Sequence, residues 1–133
     1  RDLLALWQDV FSIASNGTEQ LLDARTAGRF AGTELDRYPG ARPGHIPHSL
    51  NLYWADLLHS NTRELLPLDQ IRDRLIQVGI DLNKPVTLTC GSGLTACILA
   101  LCLHLLGKDD WKVYDGSWDE WGRRHDLPVA TSI

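Results

Sequence analysis

The sequence predicts a single α/β domain, a parallel sheet covered by helices on both faces, and three observations carry that prediction. Short apolar, β-branched runs alternate along the chain with segments of helical period, the arrangement of successive strand-helix-strand units rather than of hairpins. A length of 133 residues suits one domain with one sizeable core. At 44% hydrophobic and 23% charged residues, the composition is that of an ordinary globular protein.

Residues 2–14 carry Leu3, Trp7, Val10 and Ala14 on one face, with Leu6 and Phe11 beside them. That period predicts an amphipathic helix, ended by Asn16-Gly17. Residues 20–24 read as a short buried strand whose far end delivers Asp23 and Arg25 into a loop. Residues 26–49 are rich in Gly, Pro and charge, including Arg29, Arg37, Arg42 and His45, and show no sustained period. A loop of that length inside a compact domain is functional or disordered.

Residues 50–53 give a second short strand, followed over 54–66 by a helical turn and a loop. Residues 69–78 place Ile71, Leu75 and Val78 on one stripe, and Gly79 is positioned to stop that helix in the left-handed region. Lys84-Pro85 introduces the strand 86–89, the helix 96–106 is almost wholly apolar and ends at Gly107, and 111–114 forms a last strand closed by the turn Asp115-Gly116-Ser117. No internal repeat, low-complexity tract or linker interrupts residues 1–133.

A net charge of -4 favours neither nucleic acid nor an anionic membrane as partner. No apolar run approaches the roughly 20 residues of a membrane helix. The odd set Cys90, Cys97 and Cys102 indicates neither a disulfide framework nor a zinc site, so a reducing, cytoplasmic setting is expected, with no metal or organic cofactor.

Cys90 closes the clearest strand, where ligands bind in open α/β sheets. Gly91, Ser92 and Gly93 let backbone N–H groups turn inward, and the helix starting near Thr95 aims its positive end at the same spot. Such a cradle favours the thiolate, the nucleophilic form of cysteine. Cys97 and Cys102 lie along the apolar helix, where cysteine behaves as a small hydrophobe. Trp118 and Trp121 are expected to pack.

The loop Cys90-Gly91-Ser92-Gly93-Leu94-Thr95 resembles the active-site loop of rhodanese-type sulfurtransferases, in particular the Cys-Gly-Ser-Gly-Val-Thr of 3-mercaptopyruvate sulfurtransferases. Leu22-Asp23-Ala24-Arg25, Gly28-Arg29-Phe30, Gly44-His45-Ile46-Pro47 and Asp115-Gly116-Ser117-Trp118 with Glu120-Trp121 resemble further signatures of that family, in the family's order.

The resemblance implies a three-layer rhodanese-like fold and a Cys90 persulfide that carries sulfur from a small-molecule donor to cyanide or to a thiol such as thioredoxin. It implies Arg29 as first clamp on the donor carboxylate, with Gly91, Gly93, Leu94 and Thr95 lining the site and Ser92 assisting the leaving group. The family's second arginine lies nine residues beyond the first. Arg37 lies eight beyond Arg29, so its assignment needs a one-residue gap, with Arg42 as substitute.

The resemblance further implies that the chain is the carboxy-terminal half of a two-domain protein. Its amino-terminal rhodanese-like domain would supply a histidine and an aspartate, and a eukaryotic source would make mitochondria a second location. Thiosulfate is the alternative sulfur donor, and a non-catalytic interaction module the alternative function. A dual-specificity phosphatase, which shares the fold, would need five residues and then an arginine after its cysteine, and position 96 is Ala.

Overall fold

A computed structural model describes residues 3–131. Five parallel strands, β1 (Leu4–Ala5), β2 (Gln20–Asp23), β3 (Leu50–Asn51), β4 (Val86–Thr89) and β5 (Trp111–Tyr114), form one sheet in the order β1-β5-β4-β2-β3. All four residues of β4 are buried, as expected of an inner parallel strand covered on both faces. Four α-helices connect successive strands, α1 (Trp7–Asn16), α2 (Ala27–Ala31), α3 (Leu68–Gln77) and α4 (Ala96–Leu105), and α5 (Ser117–Trp121) follows the last strand.

Two cores flank the sheet. On one face Leu22, Leu88 and Val113 pack with Ile71 and Leu75 of α3 and Leu99 and Leu103 of α4. On the other, Leu21 and Tyr114 pack with Val10, Ile13 and Ala14 of α1 and with Trp118 and Trp121 of α5. Each fully buried Leu or Ile contributes roughly 1.5–3 kcal/mol by leaving water. These cores hold rigid the strand ends on which the functional loops are mounted.

The helix predicted over residues 2–14 begins only at Trp7; Asp2 lies outside the described residues, and Leu4–Ala5 pair with β5 instead. Spacing alone favoured a helix, but the open edge of β5 supplies hydrogen bonds that a frayed first turn lacks. The Asp9 carboxylate accepts the Leu6 N–H at 3.0 Å and fixes the later start. Gly17, at φ 65°, ends α1 as predicted.

Asp23 and Arg25, predicted to project into a loop, are instead 1% and 5% exposed. Mutual neutralisation makes that burial tolerable. Two five-residue helices, α2 and α5, occupy segments read as loop and turn. Residues 54–66 form the predicted helical turn, of 3-10 type over Trp54–Leu57, then a bridge between Leu58 and Leu65.

His45 is structural. Its ring stacks on Phe30 with centroids 3.8 Å apart, Nδ1 lies 2.7 Å from the Phe30 carbonyl, and its backbone pairs with Ala130. Burial pushes its pKa below the ordinary value, so the unfolded chain binds the proton more readily than the folded one. Its contribution to stability is complete above about pH 6.5, the ordinary histidine value, and is lost as pH falls toward the lower folded value. Thermal unfolding at pH 7.5 and 5.5 is expected to show this acid destabilisation, reduced in His45→Gln.

Candidate active site

The loops after β2, β4 and β5 leave the same end of the sheet, and the β4 loop carries Cys90. Its backbone is clamped by the first turn of α5: Trp118 N–H donates to the Cys90 carbonyl at 2.9 Å and Asp119 N–H to the Gly91 carbonyl at 2.8 Å. The side chain of Cys90 is buried at 1% exposure, and two backbone N–H groups point at its sulfur, Gly93 at 3.0 Å and Ala96 at 3.3 Å. Ala96 is the first residue of α4, so the helix presents its positive end to the sulfur, and both features favour negative charge there.

Gly93 holds φ +94°, a conformation that an L side chain rarely adopts, and a Cβ there would lie 2.6 Å from the Asp115 carbonyl oxygen. Glycine is therefore required for the N–H to reach the sulfur. Ser92 is exposed and faces a groove of about 520 Å³ lined by Asp115, Asp119, Glu120, Arg123 and Arg124. Leu94 is 76% exposed and Thr95 half-buried at the start of α4.

Ser117 is the residue that sequence reasoning passed over as a turn. It is fully buried, and its positive φ of 50° marks a strained, over-determined position. Its Oγ accepts the Cys90 N–H at 3.1 Å, donates to the Tyr114 carbonyl at 2.8 Å and lies 3.9 Å from the Cys90 sulfur. Asp-Gly-Ser-Trp was the available signal, since a serine there repays its strain with hydrogen bonds that alanine cannot make.

Of the predicted clamps, Arg29 lies on α2, half-buried, with a buried Nε that has no hydrogen-bond partner. That orphan donor is a cost which an anion can remove. Arg37 is exposed, with its guanidinium carbon 5.7 Å from the Tyr38 ring centroid, and hydrogen bonding to Tyr38 raises its already high pKa. Tyr38 in turn lies against the loop, its hydroxyl 2.8 Å from where a Cβ on Gly91 would stand.

Arg42, the substitute, has its guanidinium spent on the carbonyls of Trp121, Gly122, Arg124 and Leu127 at 2.6–3.0 Å. It caps the end of α5. Cys97 is exposed and its S–H reaches the Gly93 carbonyl at 3.6 Å, unlike the buried position expected for it. Cys102 is buried, and burial pushes its thiol up to about 11, so it stays protonated and inert. Among the described residues, no group of three or more His, Cys, Asp or Glu is placed to hold a metal ion, and no helix is long and apolar enough to cross a membrane.

The site is thus a parallel α/β domain with one cysteine sulfur buried among backbone N–H groups at the carboxyl end of an inner strand. The family model described as "Rhodanese-like domain" matches residues 8–124, and the chain belongs to that family.

The chain is 47% identical over 115 residues to thiosulfate/3-mercaptopyruvate sulfurtransferase 1, mitochondrial, of Arabidopsis thaliana, covering 86% of this chain and 30% of that protein. It is 42% identical over 118 residues to human 3-mercaptopyruvate sulfurtransferase, covering 89% and 39%. Among solved structures, SseA from Escherichia coli, described as a 3-mercaptopyruvate sulfotransferase with the rhodanese fold, superposes with a TM-score of 0.72 at 36% identity, over 86% of this chain and 42% of that one. The chain thus spans about two-fifths or less of these relatives' lengths.

Proposed function

We propose that this chain is the cysteine-bearing domain of a sulfurtransferase that takes sulfur from 3-mercaptopyruvate onto Cys90. The observation that carries the reading is the Cys90 sulfur held at 3.0 and 3.3 Å from two backbone N–H groups within an uncharged loop. The Cys90 thiolate attacks the sulfur of the donor, a Cys90 S–S bond forms, and the donor's C–S bond breaks with its electron pair passing to carbon as the enolate of pyruvate. A proton then returns that enolate to pyruvate.

An acceptor thiolate next attacks the outer sulfur and regenerates the Cys90 thiolate. With a dithiol such as thioredoxin, the second thiol closes a disulfide and expels hydrosulfide; cyanide would leave as thiocyanate. Arg29 and Arg37 are assigned to the donor carboxylate, which suits a planar guanidinium. Ser92 is assigned a hydrogen bond to the donor ketone oxygen, where the enolate charge develops. Gly91, Gly93, Leu94 and Thr95 shape the wall around the sulfur. A companion rhodanese-like domain is proposed to supply the remaining proton-transfer groups, in keeping with the greater length of the relatives.

The uncharged Gly91-Ser92 pair supports the monoanionic donor over dianionic thiosulfate, which would draw on extra cations in the loop. The test is intact-mass spectrometry after incubation with each donor separately, followed by cyanide. The expected result is one added sulfur atom, mapped to the Cys90 peptide and removed by cyanide, with 3-mercaptopyruvate the better donor. Faster loading by thiosulfate would overturn the donor assignment, and no loading by either would overturn the reading.

A further inference from the structure

We propose that Asp36 is a positioning residue that, clasped to Arg25 inside the protein, holds Arg37 and Tyr38 as a carboxylate-reading wall beside Cys90. The inference rests on the sulfurtransferase reading and names how one side of that site is built. The segment from Gly32 to Gly44 has no regular structure of its own. It is tethered at one end by the Thr33 and Glu34 N–H groups on the Gly28 carbonyl, and at the other by Arg42 on the end of α5.

Between those tethers Asp36 turns inward. Its Oδ2 lies 3.2 Å from Arg25 Nη1, with both side chains 3% exposed, and its Oδ1 accepts the backbone N–H of Arg37 at 2.9 Å. Arg25 is itself immobilised by both oxygens of Asp23, by the Gly44 carbonyl at 2.8 Å and by the Trp118 ring 4.5 Å beneath it. Asp23 closes β2, opposite Thr89 of β4. A rigid path thus runs from the sheet through Asp23, Arg25 and Asp36 to the main chain of Arg37.

The far side of the same loop meets the active-site loop, with the Tyr38 hydroxyl 2.8 Å from the site of a Cβ on Gly91. A buried ion pair is a poor source of net stability, because desolvation offsets its attraction. What it does supply is a fixed geometry. An exposed arginine on a free loop recognises an anion weakly, since ordering its chain costs entropy, whereas one whose backbone is already held loses less on binding.

The test reads the carboxylate seat at Cys90 without requiring sulfur transfer. Cys90 alkylation is followed by peptide mass with iodoacetate, which carries a carboxylate, and with iodoacetamide, its neutral counterpart. Asp36→Asn is expected to lower the ratio of the two rates by roughly tenfold, the scale of a modest misplacement of a recognition group. The iodoacetamide rate, which reports the sulfur's own cradle, is expected to stay the same. Arg37→Ala, on the surface and clear of the clasp, should lower the ratio comparably, and in that background Asp36→Asn should do nothing more, because it acts through Arg37.

An unchanged ratio, equal falls in both rates, additive effects, or an Asp36→Asn chain that no longer folds would each overturn the proposal. A wild-type chain that alkylates as expected yet accepts no sulfur would instead sink the sulfurtransferase reading.

Discussion

Gly93→Ala is expected to slow sulfur loading of Cys90 by about a hundredfold or more, the scale of losing one preorganised hydrogen-bond donor from an anion site. Two constraints act together at that position. The residue sits at φ +94°, and a Cβ would approach the Asp115 carbonyl to 2.6 Å, a main-chain atom that cannot swing aside like the tip of a side chain. The loop must open, and the N–H now 3.0 Å from the Cys90 sulfur moves with it. Stopped-flow or quenched loading with 3-mercaptopyruvate, beside the far-ultraviolet circular dichroism of the variant, separates a broken cradle from a broken fold. Loading at the wild-type rate would show that the Gly93 N–H plays no part in the reaction.

Arg25→Met is expected to cost about 3–5 kcal/mol of stability, the usual penalty for deleting one member of a buried ion pair. The guanidinium lies between Asp23, bonded to both of its oxygens, and Asp36, and removing it leaves two inward-facing carboxylates without a cation. Its stacking on Trp118 is lost as well. Chemical denaturation should show the loss directly. The triple variant that adds Asp23→Asn and Asp36→Asn should recover much of it, because neutral amides are far cheaper to bury than stranded charges. A single variant as stable as the wild type would mean that water or a rearranged side chain already satisfies these carboxylates.

Those two residues mark different degrees of legibility. The Cys90 loop could be read because a β-branched run, a glycine turn and an apolar helix follow one another without ambiguity, and β4, β5 and α3 stand within a residue or so of where their patterns place them. Arg25 was misjudged because charge in a sequence reads as exposure, and only the fold brings Asp23 and Asp36 together around it. The same limit hid β1, two residues long and defined by a partner strand at the far end of the chain, and α5, too short to show a period. Tyr38 is legible only in space, and the Asp-Gly-Ser-Trp signal marks Ser117 without revealing its partner, since their contacts are with Gly91 and Cys90, distant in sequence.

The pairing of Leu4 with Val113 and Ala5 with Tyr114 also orders events in time. One core is assembled from the middle of the chain, between Leu22 and Val113, whereas the other joins Ala5, Val10 and Ile13 to Trp118, Trp121 and Leu127. Closing the second requires a loop of more than a hundred residues, whose entropy is offset only once the late tryptophans arrive. On a ribosome, the α3–α4 layer can therefore form while α1 still exposes its apolar face. The clamp of α5 on the Cys90 loop likewise waits for Trp118 and Asp119, so the loop around the sulfur is fixed only after residues nearly thirty positions further along have been made.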